Sequence, residues 1–438
     1  MTAMAKYDDT TIAKNYDQTD TTTRQLLLVC SFLASEVNVP IDLIASVMET
    51  GSEDIVISNL EHLVDVGLME RAVEGYQIQS ETAEFIQSKS DPAKVKEVLL
   101  ATARTLESVC SSFDNPAEIK PYYPHIEVLA QKTQIQKMAI SGLLYGHLGY
   151  YWLSENDYQE AVKYFRRALL IIEKVSGVES VEYTEHLNNL GSALYKLKNL
   201  EEAKKCFEQV IITDKKILGK KHPAVAIGLN NLGQVLLELN NIDGAILHLE
   251  DALEINKSHF GVEHPHVAAG YYNFGMALID IGDLPRAKIE IQRSLLIRQK
   301  IFGDIHPGVA EAHHGLGMVF QTISNLSEAE THYRQALRIW ESDGSQDNLQ
   351  LAASYTNLGG VLHLSGDLVG AKSNYLSGLE IFEACLPPDD KNIRDLRLQL
   401  ELLEHGMTMP ELLEKMEAGE NLPAELLKIL DKMFGDNA

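Results

Sequence analysis

Leu187–Phe207 reads LNNLGSALYKLKNLEEAKKCF, and Leu229–Leu249 reads LNNLGQVLLELNNIDGAILHL. The second stretch begins 42 residues after the first and reopens with the same five letters. Advancing by 42 from Tyr145 gives the block starts Tyr145, Leu187, Leu229, Tyr271, His313 and Tyr355, six blocks without an insertion. Four places past each start stands a glycine: Gly149, Gly191, Gly233, Gly275, Gly317 and Gly359. Sixteen places past it stands an alanine: Ala161, Ala203, Ala245, Ala287, Ala329 and Ala371. A large apolar residue precedes every one of those glycines: Leu148, Leu190, Leu232, Phe274, Leu316 and Leu358.

Each block holds two amphipathic segments with apolar residues at helical spacing. A polar break separates them: KN before Leu200, NN before Ile242, and GD before Leu284 and again before Leu368. A glycine inside a helix costs about 1 kcal/mol relative to alanine. Repeating that cost in every block makes sense only if the missing side chain lets another helix approach closely. The alanines do the same for the second helix, and so do Ala168, Ala252, Ser294, Ala336 and Gly378, with Val210 the one larger occupant. Helix pairs with small residues at their crossings stack into a superhelix. The expected fold is therefore all-α, a right-handed superhelical solenoid of six helix-turn-helix repeats over residues 145–396.

The position twenty places into each block reads Phe165, Phe207, Leu249, Ile291, Tyr333 and Tyr375. With its glycine, alanine, aromatic and small positions, the pattern resembles the tetratricopeptide repeat, whose usual period is about 34 residues. Here the extra residues lengthen the second helix and the loop after it, which reads LGKKHPAVA, FGVEHPHVA and FGDIHPGVA in three blocks. That longer form resembles the repeats of kinesin light chains and their bacterial relatives.

Outside the blocks the pattern changes. Residues 1–23 are polar and acidic, have no hydrophobic signal-peptide region, and read as a flexible segment. Residues 24–90 offer three apolar helices, RQLLLVCSFLA, VPIDLIASVM and DIVISNLEHLVDVGLM, then the strand-like GYQIQ and the helical ETAEFIQSK. This order resembles the winged helix that precedes tetratricopeptide arrays in STAND-type signalling ATPases. Residues 91–144 read as a helical linker into the array. Residues 397–438 read as caps: LRLQLELLEHG covers the last repeat, since solenoids need a polar end. MPELLEKMEAG and LPAELLKILDKMF then form two short amphipathic helices. These either fold back or present Leu427, Leu430 and Phe434 to a partner, a second copy of the chain among the candidates.

The composition excludes several functions. The formal charge is −25, from 63 acids against 38 bases, and residues 1–130 hold 21 acids and 9 bases. Such a chain repels nucleic acid and anionic lipid. The third helix of the winged-helix-like region carries Glu53, Asp54, Glu61 and Asp65 and no lysine or arginine, so it is a poor DNA reader. Packing against the array is the role expected of this region. No apolar run reaches the roughly 18 residues that span a bilayer. Cys30, Cys110, Cys206 and Cys385 match no CxxC spacing and read as free thiols in a reducing, cytoplasmic setting.

No cofactor is expected. The nearest approach to a phosphate-binding loop, LGKKHP at Leu218, lacks the serine or threonine and has Asp214 where the first glycine belongs. If the STAND resemblance holds, the chain carries the sensor arm without the motor. No GxSxG, HExxH or Cys–His–Asn signature appears, so no enzymatic activity is expected. His264 with His266, and His313 with His314, invite a metal. But His222, His264 and His306 share one repeat position and each precedes proline, which reads as loop architecture.

The asparagines point to the function. Two places past the block starts stand His147, Asn189, Asn231, Asn273, Gly315 and Asn357. One place past them stand Gly146, Asn188, Asn230, Tyr272, His314 and Thr356. In tetratricopeptide domains this face of the first helix lines the concave groove, where asparagine both donates to and accepts from a peptide backbone. The alternative is that these amides bond to the neighbouring repeat and only hold the stack. The resemblance implies a scaffold that binds a protein or peptide partner through Asn188, Asn189, Asn230, Asn231, Tyr272, Asn273, His314 and Asn357. Tyr150, Tyr195, Gln234, Met276 and Met318 would set side-chain choice. Position −2 reads Glu185, Ile227, Ala269, Glu311 and Ala353, so no basic clamp for a C-terminal carboxylate is expected, and a neutral, apolar or basic peptide fits better. The alternative function is a regulatory sensor or inhibitory subunit in which the winged-helix-like region closes over part of the groove.

Overall fold

The computed structural model describes residues 9–49, 52–73, 75–113, 115–342, 349–388, 390–418, 422, 423 and 426. Leu427, Leu430 and Phe434 lie outside the described residues. The chain divides into two compact units, Met1–Lys220 and Lys221–Ala438.

The first unit opens with α1 (Asp9–Asp17), α2 (Thr21–Cys30), α3 (Ile41–Val47) and α4 (Glu53–Asp65). A two-stranded antiparallel ribbon follows, β1 (Glu70–Ala72) and β2 (Gly75–Gln77), with Arg71 opposite Tyr76. Next come α5 (Ser80–Lys89), α6 (Pro92–Ser111), a 3-10 helix over Pro116–Tyr122 and α7 (Tyr123–Ile135). The first two blocks close the unit as the pairs α8 (Ile140–Ser154) with α9 (Tyr158–Val175), and α10 (Val181–Lys196) with α11 (Leu200–Ile217). One apolar cluster runs from Ile12 through Leu106 and Ile126 to Ile172, so the N-terminal helices and the first repeat share a core.

The second unit holds four more pairs. These are α12 (Pro223–Glu238) with α13 (Ile242–Phe260), α14 (Pro265–Asp280) with α15 (Leu284–Phe302), α16 (Pro307–Thr322) with α17 (Leu326–Ser342), and α18 (Leu349–Leu364) with α19 (Leu368–Cys385). Then α20 (Lys391–Glu404) packs on α19, adding Ile393, Leu396 and Leu403 to the apolar cluster of the pairs, and α21 (Met409–Glu417) follows.

The turn inside each pair is set by two adjacent positions. The residue eleven places into the block has left-handed backbone in every case: Asn156, Lys198, Asn240, Gly282, Ser324 and Gly366, with φ between 58° and 85°. The next residue begins the second helix: Asp157, Asn241, Asp283, Asn325 and Asp367 each accept from a backbone N–H three residues on. One residue reverses the chain and its neighbour occupies an otherwise orphaned donor. The polar breaks are therefore caps. The histidine–proline loops do the same job for the first helix. His222, His264 and His306 accept through Nδ1 from the N–H of Ala224, His266 and Gly308 at 3.0–3.2 Å, with proline at the first helical position.

The block glycines meet the residue sixteen places further on. A Cβ on Gly191 would lie 2.8 Å from the Phe207 ring, on Gly233 2.7 Å from Leu249, and on Gly317 2.6 Å from Tyr333. The alanines Ala161, Ala203, Ala245, Ala287, Ala329 and Ala371 are all 0 % exposed. Gly317→Ala should therefore lower stability by about 1–3 kcal/mol through overpacking, outweighing about 1 kcal/mol of gained helix propensity. Ser324→Gly should raise it by up to about 1 kcal/mol by removing left-handed strain. Chemical denaturation of the two variants beside the parent checks both signs; a Gly317→Ala protein more stable than the parent would show that the ring has room to yield.

Candidate functional site

The first helices of the second unit bring their polar rows together. Asn273 Nδ2 donates to Asn230 Oδ1 at 3.0 Å, joining α14 to α12. Between α16 and α18, His314 Nδ1 and Ser354 Oγ are 2.5 Å apart. Gly315 faces Tyr272 and Met276, with 3.1 and 3.4 Å to the Cβ it lacks. The Asn357 side chain hydrogen-bonds Tyr333, whose hydroxyl donates to Gln321 Oε1 at 2.8 Å. Asn188, Asn189, Asn230, Asn231, Asn273 and Asn357 are all half-buried, as are Tyr195, Gln234, Met276 and Met318. Tyr150 is 42 % exposed. The row thus has one edge on the core and one in solvent, and some of its amide capacity is spent between repeats.

His314 packs edge-on to the Tyr333 ring at 5.5 Å and lies 5.9 Å from Trp340. Burial holds its imidazole down at about 4, so it is neutral at pH 7. His313 meets His332 through Nδ1···Nδ1 at 2.9 Å, one ring donating to the other. Burial first and His332 second press His313 to about 4 as well.

Sequence reasoning missed Arg298. It rises from α15, 8 % exposed at its side chain, and sets Nη1 2.9 Å from Glu311 Oε2. The same nitrogen donates to the Gly308 carbonyl, and the guanidinium stands 5.0 Å over the Tyr272 ring. Burial, with Glu311 adding, lifts the Tyr272 hydroxyl to about 12. A cation therefore does reach this face, from the second helix rather than the first, and its charge is balanced by Glu311. The signal was present in the block register: the position occupied by Arg298 reads Ile172, Asp214, Asn256, Trp340 and Phe382 elsewhere.

In the first unit the row begins with His147. Its Nε2 lies 3.4 Å from Ser111 Oγ and 3.7 Å from Glu107 Oε1, both on α6. Ser111 donates to the same Glu107 oxygen at 2.9 Å. His125 on α7 is fully buried, accepts at Nδ1 from the Ala34 N–H and donates through Nε2 to the Asn38 carbonyl, each at 3.0 Å. Burial brings it down to about 4. The buried thiols of Cys30 and Cys110 are pushed up to about 12, which leaves them unreactive.

A tetratricopeptide repeat model matches residues 142–211, 182–258, 266–342 and 325–384. That is more than half of the chain, and the chain belongs to this family, whose repeats are protein–protein interaction modules. No curated protein sequence matches it. Several solved structures are similar. A putative kinesin light chain from Podosopora anserina is 18 % identical, with a TM-score of 0.40 over 53 % of this chain and 100 % of that one. A STAND protein with a tetratricopeptide repeat sensor from Pyrococcus horikoshii is 15 % identical, with a TM-score of 0.46 over 87 % of this chain and 66 % of that one. A Rap protein complexed with Competence and Sporulation Factor is 15 % identical, with a TM-score of 0.48 over 81 % of this chain and 98 % of that one. Among the described residues no helix is long and apolar enough to cross a membrane.

The three buried histidines have a consequence for pH. Each is about 4 when folded, against 6.5 when exposed. Between those values the unfolded chain binds protons that the folded one refuses, so stability falls as pH falls from about 6.5 to 4. The loss should be roughly 1–3 kcal/mol for each histidine, and His125→Gln should remove its share. Melting curves at pH 7.5, 6 and 5 test this; a midpoint independent of pH would contradict it.

Proposed function

We propose that the chain is a scaffold that holds a peptide segment of a partner protein along the first-helix row of its repeats. The observation that carries this reading is the row itself. Half-buried carboxamides, Met276, Met318 and the edge of Tyr272 recur at positions that the packing of glycine, alanine and ring does not need. Amides at Asn189, Asn231, Asn273 and Asn357 suit a peptide backbone, because each offers both a donor and an acceptor. The flexible thioethers suit variable side chains. The charge of −25 favours a neutral, apolar or basic segment over an acidic one. Arg298 is already paired with Glu311 and so is not free for a terminal carboxylate. In this reading the chain acts without cofactor or catalysis, in a reducing cytoplasm, and binds neither nucleic acid nor membrane.

A second reading has one specific observation behind it. The first position of the row, His147, is met by Glu107 and Ser111 of α6. A helix of the N-terminal region thus touches the place where a ligand would begin, as expected of a sensor in which residues 24–90, read as a winged helix, and the linker 91–144 regulate the groove. Glu107→Gln with Ser111→Ala would free His147 while leaving the shared core intact. A tenfold rise in peptide affinity in this variant supports regulation; unchanged affinity leaves a plain scaffold.

The primary test is a peptide-display selection on the full chain, with affinities of selected peptides measured by fluorescence polarisation. Asn189, Asn231, Asn273 and Asn357 changed together to alanine should weaken binding at least tenfold, about 1.4 kcal/mol or more. The variant must melt like the parent, because Asn273 also bonds Asn230. Equal affinity in both proteins would mean that the amides serve the stack alone.

A further inference from the structure

The last repeat departs from the others at one position on the row. Five places past the block starts stand Tyr150, Ser192, Gln234, Met276, Met318 and Gly360. Gly360 follows Gly359 in the middle of α18, and the two glycines have different reasons. A Cβ on Gly359 would strike the Tyr375 ring at 2.6 Å. On Gly360 it would meet only Gln321 Nε2 at 3.7 Å and Tyr375 Oη at 3.8 Å, which is ordinary contact. Packing therefore does not require the second glycine, although it weakens the helix. What it does is leave open a cleft of about 250 Å³.

The lining of this cleft is uncharged and mixes apolar surface, from Leu364 and Met409, with polar side chains. Gln321, Asn357, His363, Tyr375 and Gln399 supply the polar groups, while Thr408 and Met409, at the start of α21, close one side. One amide is oriented: Tyr333 donates to Gln321 Oε1 at 2.8 Å, which leaves the Gln321 NH₂ for another acceptor. Gln399 is held only by a long contact from Tyr375 at 3.5 Å. Thr408 is committed elsewhere: its N–H and hydroxyl both donate to Glu411 Oε2, at 2.7 and 2.9 Å. Burial holds the His363 imidazole below its ordinary value, which keeps it neutral at pH 7. Among the described residues no lysine, arginine, aspartate or glutamate lines the space, and the nearby Glu411 carboxylate is already engaged by Thr408, so an ion of either sign would enter without a free partner in the lining.

We infer that this cleft is a specificity subsite of the peptide groove and takes an uncharged, acceptor-bearing side chain, a glutamine or asparagine carboxamide, from the partner peptide. Its oxygen would accept from the NH₂ groups of Gln321 and Gln399, and its NH₂ would meet the acceptor nitrogen of His363 or the Tyr375 hydroxyl. Gly360 is what admits it. Asn357 belongs both to the cleft and to the row, so the carboxamide pins the register in which the rest of the segment lies. This inference rests on the groove reading above.

The test uses the full chain and a random peptide-display library, selected in parallel on the parent and on Gly360→Met, the residue that Met276 and Met318 place at the same position. Both proteins should melt alike or the variant slightly higher. Parent-selected peptides should share a glutamine or asparagine at one position and lose at least tenfold in affinity for Gly360→Met. Changing that residue to glutamate or lysine in the peptide should cost at least as much. Gln399→Leu, which removes one donor without filling the space, should weaken binding several-fold and serves as the independent variant if Gly360→Met folds poorly. Peptides that bind parent and both variants equally, or that share a charged residue at the position, overturn the subsite while leaving the groove. Selection of no peptide by any of the proteins overturns the groove reading, and the subsite with it.

Discussion

A single contact organises each repeat: the first-helix glycine lying under the side chain sixteen residues later. In the second unit the same place is filled by Leu249, Ile291, Tyr333 and Tyr375, so the contact tolerates different shapes above but no carbon below. Cores tolerate exchange of large apolar groups more readily than added volume, which is why the ring position varies while the glycine does not. Bringing the two helices this close also shortens the turn between them. The chain must reverse within two residues: the first has left-handed backbone in every block, and the second is a carboxylate or amide that caps the next helix in five of the six. Asn199 stands at the capping position too, although its side chain makes no cap bond and instead donates to Glu202 at 2.8 Å.

The same economy separates the charged surface from the row. Several ion pairs link one block to the next on exposed positions: Arg166 with Glu202 and Lys216 with Glu179 in the first unit, and Arg286 with Glu250 and Lys300 with Glu263 in the second. Exposed pairs of this kind are worth little each. The exception is Arg298 with Glu311. Removing either member would leave a largely desolvated charge beside Tyr272, which is far costlier than losing a surface pair.

How much could be read in advance follows from what repeats. A constraint imposed in every block, such as glycine under the ring, alanine at the crossing or proline after the histidine cap, leaves a column in the sequence. Helix number, pairing and register followed from those columns. The histidine–proline loops were rightly read as architecture, because one role recurs three times. Contacts made once leave no column. His125 joins α7 to Ala34 and Asn38, some ninety residues away, through backbone groups that carry no sequence signal. Ser111 and Glu107 meet His147 because α6 happens to pass there, and nothing in α6 announces it. Arg298 and Gly360 lie between these cases: each sits in a column and breaks it.

Broken columns are where a repeat protein can differ from its own scaffold. A residue that satisfies its column is explained by stacking, whatever else it does. One that departs from it at a cost to the helix, with no clash to relieve, needs another reason. Gly359 and Gly360 make the comparison within two residues: the first has Tyr375 above it at 2.6 Å, and the second meets Gln321 Nε2 and Tyr375 Oη only at ordinary contact, 3.7 and 3.8 Å. The asparagine row is harder to judge by this rule, since Asn273 and Asn357 already bond Asn230 and Tyr333. Those bonds do not exhaust a carboxamide, which carries two donor hydrogens and two acceptor lone pairs. An amide bonded from within the stack is held in one orientation, so any donor or acceptor it has left points in a fixed direction. Preorganised polar groups lose less on binding than free ones. Bonding between repeats and binding along them are therefore compatible uses of the same amides.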